Sequence, residues 1–204
     1  MIAIVDYNMG NLASVQNAFA KIGCKTVIES NPDNFNKYDK LILPGVGAFG
    51  DAMEHLKVNG MDEAVKSYAQ SGNYMLGICL GMQLLFDSSE EFGSNKGLGL
   101  IPGKIVGFDT SKFSHPLKVP HMGWNRMFTS EHALFEGMDQ EHYLYFVHSF
   151  HAVCENKKNS IGETEYGYRF TSAVQNDNIL GIQPHPEKSH KNGLAILQNF
   201  INLG

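Results

Sequence analysis

Tyr74-Met75-Leu76-Gly77-Ile78 is a short apolar run, and Cys79-Leu80-Gly81-Met82-Gln83 follows it without a break. Five apolar or small residues in a row suit a strand buried on both faces of a parallel sheet. The run Leu80 to Phe86 has helical composition. The junction is then a strand-to-helix turn, and Gly77-Ile78-Cys79-Leu80-Gly81 has the arrangement of the G-x-S-x-G nucleophile elbow. Such a turn pushes its central side chain out over the sheet edge. The flanking positions approach so closely that only glycine avoids a clash. The start of the new helix holds unpaired N–H groups and the positive dipole end, and both favour thiolate over thiol. The N–H of Leu80 would face a developing oxyanion. On the pentapeptide alone, Cys79 is either a nucleophile or a structural thiol between two turn glycines.

Upstream, the pattern is β-α-β. Met1 to Val5 is a buried-strand run, and Asn8-Met9-Gly10-Asn11 is a turn. Leu12, Val15, Phe19 and Ile22 recur at helical spacing, with Gly23 where a C′ glycine stops a helix. Thr26-Val27-Ile28 and Leu41-Ile42-Leu43 read as strands, the latter ended by Pro44-Gly45. Residues 50 to 71 read as helix, closed by Ser71-Gly72. Downstream, residues 98 to 180 carry short β-rich runs: Leu144 to Val147, Ala152 to Cys154, Phe170 to Val174 and Ile179 to Ile182. A last helix is expected from about His190 to Leu203. The fold class is therefore α/β: a mixed, mostly parallel central sheet flanked by helices, with an antiparallel β extension.

Composition narrows the function classes. The chain has 204 residues, 43% apolar and 18% charged, with a net charge of −5. That is enough for one domain over residues 1–204 with its own core. An acidic chain without basic runs is a poor nucleic-acid binder. No apolar stretch approaches the length of a membrane span. Met1 to Asp6 lacks the basic region of a signal peptide, so a cytoplasmic chain is expected. Three cysteines, Cys24, Cys79 and Cys154, cannot all pair, which favours reduced thiols. Cys24 and Cys154 read as packed small side chains.

A nucleophilic cysteine needs a base, and the base needs an orienting group. Of nine histidines, His185 stands out in Gln183-Pro184-His185-Pro186-Glu187-Lys188-Ser189. It follows an apolar strand, so it too belongs at a sheet end. Each proline restricts the residue before it to extended backbone, and Glu187 could accept from the second ring nitrogen. A proline-rich turn with an incidental histidine is the alternative. Gly45-Val46-Gly47, after the third strand, could present N–H groups to an oxyanion, and its two glycines would permit a peptide flip. His115, His121, His132, His142 and His151 lack a compact metal-ligand pattern, so no structural zinc is expected. No phosphate-loop or dinucleotide fingerprint is present.

Taken together, these segments resemble class I glutamine amidotransferases. The resemblance runs essentially end to end. It rests on Asp6-Tyr7 with Gly10-Asn11-Leu12, Pro44-Gly45-Val46-Gly47-Ala48-Phe49, Gly77-Ile78-Cys79-Leu80-Gly81-Met82-Gln83, Gly97-Leu98-Gly99, Pro120-His121-Met122-Gly123-Trp124-Asn125, His148-Ser149-Phe150 and His185-Pro186-Glu187-Lys188-Ser189. It implies a glutaminase with Cys79 as nucleophile, His185 as base and Glu187 as orienting group, working through a thioester and needing no cofactor or metal. It implies backbone oxyanion donors at Val46 and Leu80, and L-glutamine contacts at Gly45, Gln83, Glu91, His148, Ser149 and Phe150. Within the class, the chain is similar to the glutaminases of histidine biosynthesis. These pass ammonia to a (β/α)₈ cyclase subunit that closes imidazole glycerol phosphate, as a heterodimer. Trp124, Asn125 and Lys188 match positions near that interface. An alternative acceptor, such as an enzyme amidinating surface sugars, keeps the same chemistry. The family usually has glycine at Asn8, an aromatic residue at Pro184 and tyrosine at Phe150. A general thiol hydrolase and a non-catalytic binding module are the readings from other classes.

Overall fold

The computed structural model describes residues 1–138 and 141–204. In chain order the elements are β1 (Ile2–Val5), α1 (Leu12–Lys21), β2 (Thr26–Glu29), β3 (Lys40–Leu43), α2 (Phe49–Lys57), α3 (Met61–Gln70), β4 (Tyr74–Ile78) and α4 (Leu80–Leu84). There follow β5 (Phe86–Ser89), β6 (Asn95–Lys96), β7 (Ile101–Gly107), β8 (His121–Thr129), β9 (Glu141–His148), β10 (Phe150–Cys154), β11 (Ser160–Tyr166), β12 (Tyr168–Asn176), β13 (Ile179–Ile182) and α5 (His190–Asn202).

The sheet order is β2-β1-β3-β4-β13-β12-β10-β7-β5-β6. The first five strands are parallel. From β13 onward the neighbours β12, β10 and β7 run antiparallel. A branch of β11, β8 and β9 continues antiparallel from β12. This is the α/β sheet with an antiparallel extension that the sequence predicts.

Alternation along the buried strands explains the layers. Ala3 and Val5 of β1 face one core, with Phe49, Met53 and Leu56 of α2 and Val65 and Tyr68 of α3. Ile2 and Ile4 face the other, with Val15 and Phe19 of α1 and Ile196, Leu197 and Phe200 of α5. Phe19 and Phe200 are fully buried, each worth roughly 1.5–3 kcal/mol over exposure. Helix α1 ends as read: Gly23 has φ 78, and Gly23 N–H and Cys24 N–H donate to the Ala20 and Phe19 carbonyls. That is a complete Schellman closure.

Two expectations change. The helix read over residues 50 to 71 is two helices, because the backbone turns extended at Val58, ψ 130, and left-handed at Gly60, φ 69, before α3 begins. The helix read to Phe86 stops at Leu84. The carbonyls of Leu84, Leu85 and Phe86 accept instead from Leu98, Leu100 and Gly99, so Phe86 opens a strand. Tertiary hydrogen bonds outweigh local propensity there.

Candidate active site

The site lies where β4 and β13 end side by side. Their register pairs Ile78 with Ile182, and Cys79 N–H donates to the Ile182 carbonyl at 2.8 Å. A separation of about a hundred residues in the chain thus becomes one strand spacing. Cys79 sits at φ 54, ψ −112, a conformation that costs a non-glycine residue about 1–3 kcal/mol and marks functional sites. Both elbow glycines are required. A Cβ at Gly77 would stand 2.7 Å from the Gly81 carbonyl oxygen, and one at Gly81 would stand 1.8 Å from that of Leu43.

His185 follows β13. Its N–H donates to the Tyr145 carbonyl at 2.8 Å. Ser189 Oγ donates to the His185 carbonyl and accepts from Tyr145 N–H. The turn is therefore locked to β9, and Pro184 is buried in it without displacing the histidine. His185 Nδ1 lies 2.8 Å from Glu187 Oε1, with both side chains almost fully buried. Nε2 is left as the ring nitrogen turned to Cys79. Burial opposes charge on the ring, but hydrogen bonds to Cys79 and Glu187, and then their charges, outweigh it. They raise the His185 pKa to about 10.

A cavity of about 350 Å³ opens on this pair, lined by Val46, Gly47, Cys79, Leu80, Gln83, Glu91, Pro120, Val147, His148, Ser149, Phe150 and His185. Of the predicted substrate contacts only Gly45 stands outside the lining. It is packed behind, where a Cβ would meet the Tyr7 hydroxyl at 2.6 Å. Glu91 also caps α2, since its Oε2 accepts from Phe49 N–H at 2.7 Å. Trp124 is half exposed and stacks on His190 with ring centroids 5.0 Å apart, and Lys188 Nζ lies 5.8 Å over the Tyr145 ring. Asn125 is turned inward, its Nδ2 hydrogen-bonded to His121 and to the Glu165 carbonyl. Among the described residues, no group of His, Cys, Asp and Glu could hold a metal ion.

The sequence matches the family described as glutamine amidotransferase class-I over residues 3–203. The chain belongs to the class I glutamine amidotransferases. This amidotransferase is 76% identical to the imidazole glycerol phosphate synthase subunit HisH of Sulfurimonas denitrificans, across 98% of this chain and 97% of that one. It is 55% identical to the HisH subunit of Wolinella succinogenes over the full length of both. The solved structure of PurLQS from Thermotoga maritima aligns with a TM-score of 0.77 at 19% identity, covering 98% of this chain and 97% of that one. At that identity the likeness is one of fold.

Several of the amidotransferase's site-forming residues make contacts that a sequence reading does not show. Tyr7 donates to the Pro44 carbonyl at 2.7 Å and pins the Pro44–Gly45 turn beneath the elbow. Its pKa is raised by burial and then by Cys79. His121 and His148 form a directed chain. The Phe150 carbonyl can only accept, so His148 Nδ1 donates to it at 2.8 Å. His148 Nε2 is then an acceptor, and His121 Nδ1 donates to it at 3.0 Å. His121 Nε2 accepts in turn from Asn125 Nδ2 at 3.1 Å.

Both rings are therefore neutral. Burial lowers the His121 pKa to about 4. Burial, then the nearby His121, lowers that of His148 to about 3, with His151 and His185 adding to the effect. Unfolded histidines titrate near 6.5, so the unfolded chain binds more protons below that pH. The stability that these two rings contribute is fully present above pH 6.5 and is lost as pH falls toward 4 and then 3. Urea midpoints should fall over that window, and less steeply in a His121→Phe/His148→Phe variant. Equal slopes in the two proteins would refute this.

Proposed function

We propose that this chain, as a single domain, is the glutaminase that supplies ammonia for imidazole glycerol phosphate formation in histidine biosynthesis. The observation that carries the reading is the Cys79 elbow beside the His185–Glu187 pair, with Cys79 and His185 opening on a cavity of ligand size. Cys79 Sγ attacks the side-chain amide carbon of L-glutamine. The proton from Cys79 resides on His185 Nε2, and Glu187 holds the ring through Nδ1. Collapse of the tetrahedral intermediate breaks the C–N bond, and His185 protonates the leaving ammonia. Water then attacks the thioester, giving up a proton to His185, and releases glutamate and the cysteine. N–H groups of Leu80 and Val46 are the oxyanion donors. Gln83, Glu91 and the His148-Ser149-Phe150 stretch, backed by Gly45, bind the amino-acid end.

Ammonia is readily protonated and lost to water, so its acceptor enzyme docks over the cavity mouth. The proposed acceptor is a (β/α)₈ cyclase subunit in a cytoplasmic heterodimer. Trp124 and Lys188, grouped around Tyr145, stand on the proposed docking face, with Asn125 directly behind them. Among the described residues, no helix is long and apolar enough to cross a membrane.

The test is glutamate release from glutamine by this chain, alone and with the same organism's cyclase subunit plus its nucleotide ligand. Strong stimulation by the liganded partner is expected. Release without stimulation would overturn the cyclase as acceptor, and no release in either case would overturn the glutaminase.

A further inference from the structure

We propose that Gln183 is a positioning residue that aims an N–H group at the nucleophilic sulfur and fixes the amide of Gln83 at the glutamine pocket. The second half of this rests on the glutaminase reading above; the first half does not.

The backbone leaves Gln183 little choice of direction. It is the first residue after β13, its N–H donates to the Ser172 carbonyl at 2.8 Å, and Pro184 keeps it extended. Its side chain is wholly buried. Gln183 Nε2 lies 3.7 Å from Cys79 Sγ, and Gln183 Oε1 accepts from Gln83 Nε2 at 3.0 Å. The remaining hydrogen of Gln83 Nε2 goes to the Phe150 carbonyl at 3.1 Å.

These contacts set the orientation of both amides. The Phe150 carbonyl is an acceptor only, so Gln83 must turn Nε2 toward it. Nε2 therefore also faces Gln183, which must answer with Oε1. That leaves Gln183 Nε2 for the sulfur, where an N–H is a charge-assisted donor to a thiolate. Reversing Gln83 would set its oxygen against those of Phe150 and Gln183, and reversing Gln183 would set its N–H group against that of Gln83. Both hydrogens of Gln83 Nε2 are thus engaged within the protein. Gln83 Oε1 takes no part in these bonds, and Gln83 lines the cavity. Gln83 is held as an acceptor and reads a donor group of the substrate.

Two variants separate the two roles. Gln183→Glu keeps the acceptor for Gln83 but loses the donor to sulfur. Gln183→Met loses both at similar volume. The first measurement is the alkylation rate of Cys79 by iodoacetamide in the full chain without glutamine, with Cys24 as internal reference. Cys79 should react roughly 10- to 100-fold more slowly in both variants, the range for losing a hydrogen bond to a charged group. The second is glutamine kinetics in the complex with the cyclase subunit. Gln183→Glu should lower kcat by a similar factor with KM nearly unchanged, whereas Gln183→Met should also raise KM.

Cys79 alkylation within twofold of wild type in both variants would overturn the proposal, whatever their melting temperatures. If Gln183→Glu does not fold, the alkylation rate of Gln183→Met decides. Slower alkylation in a chain whose wild type releases no glutamate would sink the glutaminase reading and leave the sulfur contact standing.

Discussion

Cys79→Ala is expected to lower glutamine turnover by roughly four orders of magnitude or more, the scale seen when a covalent nucleophile is removed. No other thiol can substitute. Among the described residues, no other cysteine lines the cavity, and Cys154 is pushed up to about 11 by burial. His185 would remain in place, because Tyr145 and Ser189 hold its backbone, and Glu187 stays paired to its ring. The loss should therefore appear in turnover and not in folding. Alanine keeps the strained backbone at this position, so its melting temperature should stay close to wild type. Cys79→Gly, relieved of the positive-φ cost, should be equally inactive and melt higher. Glutamate release and thermal melts on the three proteins check this, and retained turnover in Cys79→Ala would remove the nucleophile from the mechanism.

Gly81→Ala should damage the fold itself. The added methyl would lie 1.8 Å from the Leu43 carbonyl oxygen and 2.7 Å from its carbon. Leu43 is fully buried and is held in the sheet by β4, which pairs with β3 along its length. Neither side of the contact is a flexible side chain, so relief would require moving the elbow or a central strand. We expect a loss of at least about 3 kcal/mol, the upper part of the range for overpacking, from a total of roughly 5–15 kcal/mol. Gly107→Ala is the control. Its nearest neighbour would be Phe150 Cε1 at 3.5 Å, an ordinary contact, and it should lie within about 1 kcal/mol of wild type. Urea midpoints compare the two, and equal midpoints would show that the elbow tolerates a side chain.

The parallel half of the fold was legible because its strands are buried on both faces. Ile2–Val5, Leu41–Leu43, Tyr74–Ile78 and Ile179–Ile182 are plain apolar runs bounded by turn residues, and burial on both faces produces that composition. The antiparallel half was less so. β8 carries Gly123 in the positive-φ region and has no regular alternation of buried and open positions. β7 contains Pro102 and Gly103 near its start. Neither shows the period-two signal on which a strand reading depends.

The site divides in the same way. The elbow and the His-Pro-Glu segment are local constellations and could be read locally. Gln183, Tyr7 and the His121–His148 pair lie in segments that stand out in the sequence, but they act through partners between 27 and 104 residues away, and no local pattern shows those pairings. Asn8, where the family usually has glycine, has φ 65, in the left-handed region that asparagine tolerates.

The pairing of Ile78 with Ile182 also sets a schedule for synthesis. Cys79 emerges from the ribosome well before His185, and between them come all the strands of the antiparallel extension. β13 is the last strand to join the parallel sheet, and it enters between β4 and β12. A nascent chain that has not reached residue 185 therefore carries Cys79 without its proposed base. On the proposed triad, an unfinished chain lacks the base that glutamine hydrolysis requires.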